Sequence, residues 1–100
     1  MVTEESVFRL IVKGKVQGVG YRFWMVDIAR ELNVRGWVCN LANGSVEGIV
    51  CGRLKNIEQL INACRDGPSL AEVSSLEVIK IGSVPGDVSE LFEQRSSRQY

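Results

Sequence analysis

One hundred residues, 45% hydrophobic and 24% charged, fit one ordinary globular domain, and a chain of this size buries roughly 60–70% of its unfolded surface. Twelve basic residues balance twelve acidic ones and histidine is absent. The basic excess of a nucleic-acid binder is therefore missing, and Ser-His-Asp and Cys-His catalysis are excluded along with the commonest general base.

No apolar run approaches the ~20 residues needed to span a bilayer. Residues 1–6 are too polar and acidic for a signal peptide, so a cytoplasmic location is expected. Residues 7–13 read as a strand, with Phe8, Leu10 and Val12 on one side and Arg9 and Lys13 on the other. Gly14, Gly18 and Gly20 then mark a loop. From Arg22 the period becomes helical through Met25, Ile28, Ala29 and Leu32, ending near Asn33. Residues 37–42 and 45–51 are strand-like runs around Asn43-Gly44, a signal for a two-residue type I′ hairpin. That turn pairs Asn40 with Glu47 and Cys39 with Gly48. It sets Cys39, as a partly exposed thiol, on the sheet face opposite Cys51.

Leu54, Ile57, Leu60, Ile61 and Cys64 outline a second amphipathic helix, with Asn56 and Gln59 as its capping box and Gly67-Pro68 as its stop. Residues 73–81 alternate as a strand, and Leu91-Phe92 opens a short last one before a tail at residues 96–100. Trp24 and Trp37 read as packing aromatics. Cys39, Cys51 and Cys64 lack metal-ligand spacing and read as reduced thiols, with no metal and no cofactor expected. The order β-α-β-β-α-β, with a fifth edge strand, predicts an α+β ferredoxin-like sandwich with two helices on one face of an antiparallel sheet. Right-handed crossover makes the first two strands parallel with the third between them. Residues 14–21 and Asn40 then converge at one edge.

Gly14-Lys15-Val16-Gln17-Gly18-Val19-Gly20-Tyr21-Arg22 follows a strand and opens a helix. Successive N–H groups of such a turn, with the positive helix end, form an anion nest. Arg22 can grip two oxygens of one phosphate with its planar fork. The Walker A spacing is absent. Alone, this pattern predicts only that phosphate or carboxylate binds.

That run, followed by Gly36-Trp37-Val38-Cys39-Asn40 and Asn43-Gly44-Ser45-Val46-Glu47, resembles the acylphosphatase family. Gly52 and Gly67-Pro68 also fit, and the resemblance covers about residues 8–79. It implies that Arg22 binds the substrate phosphate and Asn40 orients the attacking water. The backbone of Val16, Gln17, Gly18, Val19, Gly20 and Tyr21 would cradle the phosphate oxygens. The implied reaction is metal-free hydrolysis of a small acyl phosphate to a carboxylate and inorganic phosphate. Inorganic phosphate or sulfate is an expected bound anion, and no nucleic-acid or membrane partner is expected of this monomer. The family's basic or long polar residue at position 39 is replaced by Cys39, and its last strand is only half matched by Phe92-Glu93-Gln94. A non-catalytic anion-binding module on the same fold is the alternative. A domain of a larger carbamoyl-transfer protein is disfavoured by the chain's length and by the lack of zinc-type cysteine pairs.

Overall fold

The computed structural model describes residues 4–97. Its elements in order are β1 (Ser6–Lys15), α1 (Tyr21–Glu31), β2 (Arg35–Asn40), β3 (Val46–Gly52), α2 (Leu54–Asp66), β4 (Glu72–Lys80) and β5 (Glu93–Gln94). They form one sheet of order β4-β1-β3-β2-β5. Strand β3 runs antiparallel to both β1 and β2, so β1 and β2 are parallel with β3 between them, as the order of elements predicts. Strand β5 pairs parallel to β2, which makes the sheet mixed rather than wholly antiparallel.

Period-two alternation sends Leu10, Val12, Val38, Val46 and Val50 toward the helices. There they share one core with Met25 and Ala29 of α1 and Ile57, Leu60 and Cys64 of α2. Each such side chain stabilises the fold by about 1.5–3 kcal/mol. The other face is apolar too. Val7, Ile11, Trp37, Cys39, Ile49 and Cys51 form a second cluster, covered in part by Ile81 and Val88 from the chain after β4. A strap then returns along β2: Trp37 Nε1 donates to Asp87 Oδ1 at 3.4 Å, Arg95 lies over the Trp37 ring at 5.1 Å, and the Arg95 N–H donates to Val38 O at 2.8 Å.

The hairpin between β2 and β3 departs from the expected two-residue turn. The Leu41 N–H donates to Ser45 O at 2.9 Å and the Gly44 N–H to Leu41 O at 3.1 Å, enclosing Ala42, Asn43 and Gly44 in a three-residue loop. Gly44 has φ 94, while Asn43 is not among the positive-φ residues that a type I′ turn would require. Asn43 Oδ1 instead accepts the Ser45 N–H at 2.9 Å. The register moves by one: Asn40 lies opposite Val46 and Cys39 opposite Glu47. A one-residue shift exchanges faces. Cys39 and Cys51 consequently share the second cluster, and Cys39 is fully buried rather than partly exposed. They sit four ladder positions apart, about 13 Å at strand spacing, which is beyond disulfide reach. None of Cys39, Cys51 and Cys64 is in a disulfide.

Helix α1 starts at Tyr21, one residue earlier than the periodicity suggested, because Gly20 in the left-handed region serves as its N-cap. Helix α2 starts at Leu54 with Arg53 at the N-cap and no side-chain cap. Asn56 already donates its N–H to Arg53 O at 2.9 Å, so Asn56 and Gln59 lie inside the helix and form no capping box. Strand β5 begins after Leu91-Phe92: Leu91 is exposed, and Phe92 is fully buried in the helix-side core. Glu5 and Ser6, expected in a tail, are held by a 2.6 Å ion pair to Arg35 and by β1. The rest of the residue 1–6 and 96–100 expectations lies partly outside the described residues.

Candidate active site

Gly18 (φ 72) and Gly20 (φ 79) alternate with residues of negative φ between β1 and α1. Alternation of left-handed with ordinary backbone turns successive N–H groups toward one concave side. A Cβ at either glycine would meet nothing within 4 Å, so the requirement is conformational rather than steric. The loop is fixed at both ends. Gln17 Nε2 donates to Leu41 O and Ser45 O, each at 2.8 Å, tying it to the β2–β3 hairpin. The Tyr21 side chain is buried, and its hydroxyl donates to Cys64 O at 2.6 Å, fastening the first residue of α1 to α2. Burial, followed by the neighbouring Cys64, pushes that hydroxyl far above its ordinary range, so it stays a neutral donor.

The first turn of α1 has no side-chain cap and no acidic residue. Its N–H groups and positive dipole end are thus left to an anion. They open on a cavity of about 140 Å³ lined by Val16, Gly18, Gly20, Tyr21 and Arg22, with Asn40 from the end of β2 and with Phe23 and Gln94. Arg22 Nη1 donates to Arg95 O at 2.9 Å, which steadies the guanidinium and leaves its other donors for a ligand. No carboxylate, thiol or histidine lines the cavity, and its one formal charge is that of Arg22.

Asn40 Oδ1 is buried and accepts no hydrogen bond from any described residue. An unmet buried acceptor costs about 1–3 kcal/mol, and Asn40 lines the same cavity as Arg22. Sequence placed Asn40 beside the loop, and both line this cavity; Gln17 and Val19 do not, since Gln17 bridges to the hairpin and Val19 packs against the core. Glu47, which the expected register put opposite Asn40, lies on the other face, 2% exposed, in a 2.6 Å ion pair with Arg9. Phe23, Gln94 and the Arg95 carbonyl escaped the sequence reading. Phe23 belongs to no motif, Gln94 falls in the half-matched last-strand pattern, and both Gln94 and the Arg95 carbonyl reach the site through a strap whose path has no periodic signal. No group of three or more His, Cys, Asp or Glu among the described residues is placed to hold a metal, and none of the described helices is long and apolar enough to cross a membrane.

The family model for acylphosphatase matches residues 8–92, which include the loop, Arg22, Asn40 and most of the fold. The chain belongs to the acylphosphatase family. An acylphosphatase of Rhizorhabdus wittichii is 44% identical over 87 residues, 87% of this chain and 85% of that protein. The solved acylphosphatase of Coxiella burnetii is 35% identical with a TM-score of 0.83, over 91% of this chain and 93% of the other. The same fold occurs within a longer protein: full-length HypF, solved in a phosphate- and nucleotide-bound form, matches 99% of this chain with 13% of its own length, at 27% identity and a TM-score of 0.89.

Proposed function

We propose that this acylphosphatase-family chain hydrolyses the carboxyl–phosphate bond of small acyl phosphates by direct attack of a water molecule. The loop N–H groups and the Arg22 fork hold the phosphate, and Asn40 aims the water. The observation that carries this reading is that Asn40, whose Oδ1 has no donor, lines the same cavity as Arg22 and the glycine loop. A hydrogen bond between the Asn40 amide and the water orients the water oxygen's lone pair toward phosphorus. The water O–P bond forms as the bridging P–O bond breaks, and the carboxylate leaves with the electron pair. With no carboxylate, thiol or imidazole in the lining to take it, one water proton passes to a non-bridging phosphate oxygen. Arg22 and the helix end stabilise the negative charge spread over the equatorial oxygens. Such chemistry rests on positioning and charge, which suits a site devoid of histidine.

Metal-free turnover of acetyl and benzoyl phosphate, with a phosphate monoester as control, tests the proposal. Hydrolysis of the acyl phosphates alone is expected, with Arg22→Ala and Asn40→Ala each lowering kcat/KM by about 10²–10³. Full turnover by either variant rejects the assigned roles. Phosphate binding without any turnover would instead favour a non-catalytic anion-binding module. Inorganic phosphate and sulfate are expected competitive inhibitors, and the chain is expected to act as a monomer.

A further inference from the structure

We infer that Phe23 receives the acyl group of the substrate and selects for apolar, especially aromatic, acyl phosphates; this rests on the hydrolytic reading above. Phe23 lies in the first turn of α1, directly after Arg22, and lines the same cavity while remaining 71% exposed. The exposed leucines, Leu54, Leu70 and Leu91, do not line it.

The direction of attack assigns this ring its role. Displacement at phosphorus places the entering and leaving oxygens roughly in line. The entering water is assigned to Asn40, a half-buried residue at the end of β2, so the leaving carboxylate and its acyl group are assigned to the opposite side of the phosphate. Among the lining residues that carry side chains, the exposed ones are Phe23 and Gln94, an aromatic ring and an amide. The single cation of the lining is already engaged by the phosphate, so an acyl group bearing a second negative charge finds no partner among these residues. A flat apolar acyl group can stack on the ring, and aromatic pairs of this kind shift an equilibrium by about two- to tenfold. Phosphate recognition and acyl recognition are thereby divided between adjacent residues of one helical turn.

The test compares kcat/KM for benzoyl and acetyl phosphate in the unmodified chain, Phe23→Ala and Phe23→Trp. The benzoyl-to-acetyl ratio is expected to fall about fivefold in Phe23→Ala and to return to at least its original value in Phe23→Trp. A change of less than twofold in Phe23→Ala overturns the inference while leaving the hydrolytic reading intact. Failure of the unmodified chain to hydrolyse either compound overturns that reading and this inference together. Because the ratio is internal to each variant, partial loss of folded protein does not alter it.

Discussion

Asn40 Oδ1 sits buried without a donor at a cost that an apolar side chain would avoid. Function and stability should therefore separate at this residue. Replacing it with alanine removes the unmet acceptor along with the water-orienting group. In Asn40→Ala, kcat is expected to fall about 10²–10³-fold, whereas the urea-unfolding free energy should hold or rise by about 1 kcal/mol. Competitive inhibition by phosphate should change little, because the loop and Arg22 remain. A clear loss of stability would show that the amide serves the fold, and unchanged kcat would show that it serves nothing in the reaction. Arg22 and Asn40 were both legible before the structure because each ends a long motif. Phe23 was not, because an exposed aromatic on a helix has no spacing that distinguishes a ligand contact from ordinary surface.

At the scale of elements, the loop before α1 and the alternation of β1 follow directly from glycine placement and period. The hairpin shows where such reading loses resolution. Asn-Gly suits a type I′ turn, but a glycine in the left-handed region suits a three-residue loop equally well, and the two differ by one residue of register. Only the hydrogen bonds of Leu41, Gly44 and Ser45 decide. The consequence is large, since it sets Asn40 opposite Val46, on the face away from Glu47 and its pair with Arg9.

The strap carrying β5 was the least legible element. It consists of two paired residues held by contacts distant in sequence. Arg95 pairs with Asp87 at 2.8 Å and with Glu93 at 2.8 Å, and its side chain also donates to the Asp87 carbonyl. Hydrogen bonding from Arg95 is the main cause that holds both carboxyls below the ordinary carboxylate range. A depressed folded-state pKa means that these pairs contribute fully above the unfolded value near ~4 and are lost as pH falls through the lower folded value. The protection factor of the Arg95 amide, which donates to Val38 O, is therefore expected to decline between about pH 5 and pH 3. That of Val50, in the central strand β3, should hold over the same interval. The Asp87→Asn, Glu93→Gln double variant should lose the Arg95 protection already at pH 7. Protection at Arg95 that does not respond to pH or to these substitutions would assign the strap's attachment to Phe92 and Trp37 alone.

Across the whole molecule, the strap joins stability to the site. Phe92 is fully buried in the helix-side core, its carbonyl accepts from Arg30 Nε at 2.9 Å, and Gln94 and the Arg95 carbonyl follow it to the cavity and to Arg22. Leu60 is equally buried but lies in α2 and does not line the cavity. Large-to-small changes at either position should cost about 3 kcal/mol or more, since both leave a cavity. Their effects on the reaction should nevertheless differ. Phe92→Ala loosens the segment that steadies the Arg22 guanidinium, so folded protein at low temperature should show weaker phosphate inhibition and a kcat/KM reduced about tenfold, the loss expected when a held group is displaced by a fraction of an ångström. Leu60→Ala, compared at the same folded fraction, should keep kcat/KM near that of the unmodified chain. Chemical denaturation of both variants supplies the folded fraction, and turnover below the melting range supplies the comparison. If equal destabilisation produced equal loss of activity, the strap would be only a cover for the second sheet face. A selective loss in Phe92→Ala would show that the last strand, short as it is, holds the phosphate clamp in place.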